Sequence, residues 1–143
     1  MILKLISATD EWCITEEGFH PERNRVLESI TSLGNGYMGL RGNFEERYSG
    51  DSLQGTYIAG VYYPDRTVVG WWKVGYPEYF AKVLNAVNFI GIDVKLAGKE
   101  LNLHTWAPRN FQRILDMKNG ELVRTFQVRD EAGRLFSIQA KRF

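Results

Sequence analysis

An antiparallel all-β domain with little or no helix is the fold class that these 143 residues predict, and three observations carry the expectation. Turn chemistry recurs at short intervals: Gly34-Asn35-Gly36, Ser49-Gly50-Asp51, Pro64-Asp65, Ala97-Gly98-Lys99, Lys118-Asn119-Gly120 and Asp130-Glu131-Ala132-Gly133. The runs between these turns alternate apolar and polar residues, the signature of half-buried strands. The single helical candidate, Pro77 to Asn85, is nine residues long. Pro77 suits a first helical position, but a helix of that length is marginal in water, so a strand or irregular path competes with it.

Taken in order, Val26 to Leu33 is rich in apolar and β-branched residues and reads as a strand. Asn35-Gly36 then predicts a tight hairpin of type I′, whose two central residues both need positive φ. Val87 to Leu96 reads as a further strand, with Ile90, Ile92, Val94 and Leu96 in strict period two, and Gly98 turns the chain toward Leu101 and Leu103. Phe111 to Met117, Glu121 to Arg129 and Arg134 to Arg142 form a three-stranded meander. In the last strand Phe136, Ile138 and Ala140 face one way and Ser137, Gln139 and Lys141 the other. In the middle strand Leu122, Phe126 and Val128 share a face, with Arg124 the exception. One wet and one buried face fit an antiparallel sheet that forms half of a β-sandwich. The final residues, Gln139 to Phe143, are still in strand pattern. An uncovered last strand calls for further strands at its edge, so the chain is expected to be a segment of something longer.

Hydrophobic residues make up 44% and charged residues 24% of the chain, a globular rather than disordered composition. Net charge is +1 with Lys and Arg scattered, which leaves no electrostatic footprint for nucleic acid or an anionic membrane. The single cysteine, Cys13, has no partner for an internal disulfide. The apolar N-terminal stretch is short and broken, unlike a signal peptide, and no apolar run approaches membrane-spanning length. A cytoplasmic location is the expectation.

Gly34, Gly36 and Gly39 make a Gly-x-Gly-x-x-Gly spacing. A dinucleotide site needs a helix opening on such glycines, and Tyr37 to Gly42 carries two glycines in six residues, each costing roughly 1 kcal/mol in a helix. The turn reading therefore displaces the phosphate-cradle reading. His20 and His104 stand far apart and away from Cys13, so no metal-ligand spacing forms. No nucleophile elbow or triad order can be assembled. Carboxylates are the plentiful catalytic type, among them Glu16-Glu17, Glu28 and Glu45-Glu46, and glycosidic chemistry uses carboxylates, but their spacing singles none out. Aromatics cluster from Tyr57 to Phe80, including Trp71-Trp72. Adjacent strand residues face opposite ways, which leaves two readings open for this cluster: core, or an exposed sugar or protein contact.

The run Asn24 to Ser29 leading into Leu33-Gly34-Asn35-Gly36-Tyr37-Met38-Gly39-Leu40-Arg41-Gly42-Asn43-Phe44-Glu45-Glu46 resembles the N-terminal domain of glycoside hydrolase family 65. So do Gly55 to Tyr62, Gly70-Trp71-Trp72 and Pro77 to Phe80, and the similarity runs from about Trp12 onward. It is nearest to the family members that split maltose. The resemblance implies that residues 1–143 are an N-terminal β-sandwich segment, part of a larger supersandwich, in a parent enzyme whose catalytic (α/α)6 barrel is absent from this chain. It implies phosphorolysis of an α-linked glucose disaccharide to glucose 1-phosphate and glucose, with inorganic phosphate as co-substrate and no cofactor. The general acid of such enzymes is a glutamate of the barrel, so no catalytic residue is carried over. The implied partners are the rest of the parent chain, the disaccharide and a second subunit of a homodimer. Arg41, Asn43, Trp71 and Trp72 are the substrate-proximal candidates. The alternatives are a free-standing carbohydrate-binding β-sandwich and a purely structural module that self-associates through its edges.

Overall fold

The structure, a computed structural model, describes residues 6–68 and 77–143. In chain order its elements are β1 (Ile6–Asp10), β2 (Cys13–Glu17), a 3-10 turn (Pro21–Arg23), α1 (Asn24–Ile30), β3 (Leu33–Gly34), β4 (Met38–Leu40), β5 (Thr56–Ile58), β6 (Tyr62–Arg66) and β7 (Tyr79–Val83). They continue with β8 (Lys95–Leu96), β9 (Lys99–Glu100), α2 (Leu103–Trp106), β10 (Arg109–Asp116), β11 (Glu121–Arg129) and β12 (Leu135–Arg142). Strands dominate, helix is confined to short pieces, and every ladder between these strands is antiparallel. The all-β class stands, in an arrangement consistent with a β-sandwich. No helix among the described residues is long and apolar enough to cross a membrane.

The organising layer is a five-stranded sheet in the order β1-β2-β10-β11-β12. Its last three strands are the expected meander, and β11 spans Glu121–Arg129 as the alternation predicts. Cross-strand register builds the inner face in rows. Ile14, Leu115, Leu122 and Arg142 form one row, and Glu16, Arg113, Arg124 and Ala140 the next. Beyond them Phe126 pairs with Ile138 and Val128 with Phe136. Phe44, Leu101, Leu103, Phe111, Phe126 and Val128 are the buried core, with Phe19, Tyr48, Val94 and Leu96 packed against it. Among the described residues the second layer is therefore supplied by the segments that carry Phe19, Phe44, Tyr48, Val94, Leu96 and Leu101, rather than by another large sheet. Full burial of each large apolar side chain contributes about 1.5–3 kcal/mol.

Four local expectations change. Val26 to Leu33 is not a strand: Asn24–Ile30 is helical, and strand structure begins only at Leu33. Pro21 opens a 3-10 turn that feeds the helix. The helical path sets Asn24, Leu27 and Glu28 on one buried face, and Asn24 Nδ2 donates to Glu28 Oε1 at 2.8 Å, an i to i+4 bond that a strand could not make. Tertiary burial thus overrides the β preference of Val26 and Ile30. The hairpin after it is present, pairing Leu33 with Leu40 and Gly34 with Gly39. At its bend only Gly36 has positive φ, +82°, with Asn35 Oδ1 accepting from the Tyr37 and Met38 N–H groups. One positive φ at the first central residue is the type II′ requirement, not the type I′ one.

Val87 to Leu96 is irregular until Lys95, and Val87 and Ile92 are exposed. The alternation there has no ladder partner among the described residues; instead the Ile92 N–H bonds the Glu45 carbonyl at 2.8 Å. Ala97 and Gly98 both take positive φ at the β8–β9 bend, so the turn expected at Gly98 does form, with two residues at its centre. The stretch from Pro77 to Asn85 resolves as strand rather than helix: β7 pairs with β6 from Tyr79–Arg66 to Val83–Tyr62. Tyr79, Phe80 and Val83 favour a pleated surface, which prevails over a helix too short to stand alone.

Candidate functional site

Charge is concentrated inside this fold, on the row that crosses the middle of the apolar sheet face. Alternation along β10 sends Phe111, Arg113 and Leu115 inward, and alternation along β11 sends Leu122, Arg124 and Phe126 inward. Two guanidinium groups are thereby placed in the core. A buried charge is tolerated only when paired and hydrogen-bonded, and β2 together with the segment from α1 to Glu46 supplies the partners.

Arg113 Nε lies 3.0 Å from Glu16 Oε2, and both side chains expose 2% or less. Its Nη1 donates to the Gly42 carbonyl at 3.0 Å and its Nη2 faces Asn24 Oδ1 at 3.4 Å. Arg124 Nη2 donates to both Glu45 and Glu46. Arg142, near the end of β12, pairs with Glu45 and donates to the Arg41 and Asn43 carbonyls. Phe44 sits between the two inner cations, with the Arg113 and Arg124 guanidinium carbons 4.9 and 5.0 Å from its ring centroid; each such cation–π contact adds about 0.5–2 kcal/mol. Glu28, fully buried, accepts from Asn24, from Ser52 Oγ at 2.6 Å and from the Leu53 N–H at 2.8 Å.

Burial pushes the Glu16 carboxyl up from its ordinary value, and Arg113 offsets this only in part. Burial pushes the Arg113 guanidinium down, against the pull of Glu16. At Glu45 burial also acts upward, but Arg124 and Arg142 together outweigh it and hold the carboxyl low. These groups are closed to a solute: the Arg124 and Glu46 side chains expose 4% each. Chemically the arrangement is a lock that fixes the 41–46 segment over the sheet.

The four sequence-derived candidates divide. Trp71 and Trp72 lie outside the described residues. Arg41 and Asn43 are brought together at Gly55. The Arg41 N–H donates to the Gly55 carbonyl at 2.9 Å, and Asn43 Oδ1 accepts from the Gly55 N–H at 3.0 Å. Arg41 Nη2 also ties to the Arg25 carbonyl and Ser29 Oγ of α1. Asn43 is buried and faces Ser52 Oγ at 3.4 Å. Both side chains thus brace the path from α1 to β5. His20 bonds the Glu17 carbonyl and His104 stacks edge-on against Tyr48. Among the described residues no three His, Cys, Asp or Glu side chains are placed to hold a metal. Sequence reasoning missed the Glu16–Arg113 pair and the Glu45–Arg142 pair. The signal was available: an arginine interrupts the apolar period at Arg124, and Arg113 does the same between Phe111 and Leu115.

Comparison with known proteins identifies the frame around this lock. The model for the N-terminal domain of glycosyl hydrolase family 65 matches residues 14–143. Maltose phosphorylase of Bacillus subtilis (strain 168) is 53% identical over 143 residues, all of this chain and 19% of that protein. Alpha,alpha-trehalose phosphorylase of Thermoanaerobacter brockii is 34% identical over 142 residues, 97% of this chain and 18% of that protein. A solved structure described as a candidate kojibiose phosphorylase from human microbiome superposes with a TM-score of 0.82 at 35% identity, covering 97% of this chain and 18% of its own. The chain therefore spans about a fifth of the length of these relatives. It belongs to the N-terminal domain family of glycosyl hydrolase family 65.

Proposed function

We propose that this chain is the non-catalytic N-terminal segment of a phosphorylase that splits maltose with inorganic phosphate into glucose 1-phosphate and glucose. The observation that carries the substrate is the 53% identity across the whole chain with a maltose phosphorylase, against 34% with the trehalose enzyme and 33% with the kojibiose phosphorylase of Caldanaerobacter subterraneus subsp. tengcongensis. The absence of a catalytic role is supported by the state of the inner carboxylates: Glu16, Glu45 and Glu46 are each paired with a buried arginine, which leaves none of the three free as a general acid. In this reading catalysis and phosphate binding belong to an (α/α)6 barrel elsewhere in the parent chain, and residues 1–143 support that barrel and a homodimer in the cytoplasm. Trp71 and Trp72 are the direct substrate-proximal candidates, with Arg41 and Asn43 acting through the loop that they brace.

A substrate panel tests the reading. The full-length gene product, given phosphate with maltose, trehalose or kojibiose in turn, is expected to release glucose 1-phosphate from maltose with the highest kcat/KM; preference for either other disaccharide contradicts it. A carbohydrate-binding module is the second reading, favoured by the exposure of Tyr62, Tyr63 and Tyr79. It requires the 143-residue chain alone to change its tryptophan fluorescence with maltose and to lose that change in Trp71→Ala or Trp72→Ala.

A further inference from the structure

Every residue of β7 is exposed, and β6 and β7 form a two-stranded sheet of their own. A lone two-stranded ribbon is marginally stable at best in water. Beside it lie the bend of the β3–β4 hairpin and the turn after β5, and between them runs an open groove of about 340 Å³ lined by Tyr37, Met38, Ile58, Val61, Tyr62 and Val83. All six of these side chains are exposed, Tyr37 to 79% and Val83 to 61%. Val87, Phe89 and Ile92, which follow the ribbon in sequence, are exposed as well. Contiguous apolar patches of this kind are uncommon on free-standing proteins and mark interfaces.

We propose that this groove and ribbon are the surface on which the part of the parent polypeptide beyond residue 143 packs; the proposal rests on reading the chain as one segment of a longer phosphorylase. One observation and one physical argument favour that occupant over a second copy. The B. subtilis relative matches this chain end to end, yet the match spans 19% of it, leaving 81% of its length as candidate cover. A covalently attached segment also meets the groove at an effective concentration in the millimolar range, which a second subunit at cellular concentration does not reach. The lining supports a packing contact rather than a polar ligand site, since its side chains are apolar or tyrosine, with the ribbon's Lys82 and Asp65 already paired at 3.1 Å.

Thiol accessibility in the full-length protein tests this. Cys13 is replaced by Ser, Val83→Cys is introduced, and maleimide labelling is compared with the same variant unfolded in urea. Labelling at least about tenfold slower in the native protein is expected, because a covered site reacts only through local opening, and the protection should persist on dilution to the monomer. Labelling as fast as in urea overturns the proposal, and so does protection that vanishes on dilution, which would assign the cover to a second copy. Ile58→Cys, on the opposite wall of the groove, serves where Val83→Cys does not fold. The readout is independent of catalysis: phosphorylase activity in the same preparation tests the functional reading, and cover without activity would separate the two.

Discussion

Arg124 is held by two carboxylates and lies against the rings of Phe44 and Phe126. Removing it leaves Glu45 and Glu46 buried without that cation, and breaking a buried pair from one side costs about 3–5 kcal/mol. Arg124→Ala is therefore expected to lower stability by that amount in urea unfolding; a loss under about 1 kcal/mol, the size of an exposed pair, would show that the lock is not closed. Glu45 gives the pH dependence. Its folded-state carboxyl titrates below the ordinary glutamate value because Arg124 and Arg142 outweigh burial. A lowered carboxyl stabilises the fold above its unfolded-state value, and that contribution disappears as pH falls through the folded value. Glu45→Gln should accordingly be less stable at pH 7 and show a flatter decline into acid than the parent, as followed by thermal unfolding from neutral to low pH.

At the scale of elements, two glycines separate space from conformation. A Cβ on Gly42 would meet Thr31 Oγ1 at 2.0 Å and the Thr31 backbone carbonyl at 2.9 Å. The Gly42 carbonyl also receives Arg113 and its N–H bonds the Glu28 carbonyl, so the segment has no freedom to retreat. Gly42→Ala should cost about 1–3 kcal/mol, the range for overpacking. Gly36 has open space around it but φ of +82°, so Gly36→Ala should cost only about 1 kcal/mol through backbone strain. Paired denaturation curves check both values, and a larger loss in Gly36→Ala than in Gly42→Ala would contradict the distinction. The same contrast explains what was legible in the sequence. The β10–β12 meander reads directly because its strands pair in one ladder and bury one face, which imposes period two. Asn24–Ile30 does not read as helix because its stabilising contacts are distant: Asp51, Ser52 and Leu53 bond Asn24 and Glu28. The alternation of Ile90, Ile92 and Val94 misleads for a related reason, since no strand among the described residues pairs with that stretch. Arg124 was visible as an exception to the pattern, but its partners Glu45 and Glu46 are almost 80 residues away, beyond the reach of local spacing.

For the whole molecule, an ordered and highly charged interior contrasts with an apolar, open flank at β6–β7. The buried arginines bind residues 41–46 to the sheet, so the end of the run that carries the family resemblance is an internal brace. Its glycines serve the hairpin bend and the close approach to Thr31, and a strand rather than a helix follows them. In the proposed reading the reactive chemistry of the parent enzyme accordingly belongs to a region outside this segment. The most direct test compares the full-length protein and the 143-residue chain side by side for phosphate-dependent cleavage of maltose. The full-length protein is expected to release glucose and glucose 1-phosphate in equal amounts and the 143-residue chain to release neither. Turnover by the chain alone, or a full-length protein silent on maltose, would contradict the account.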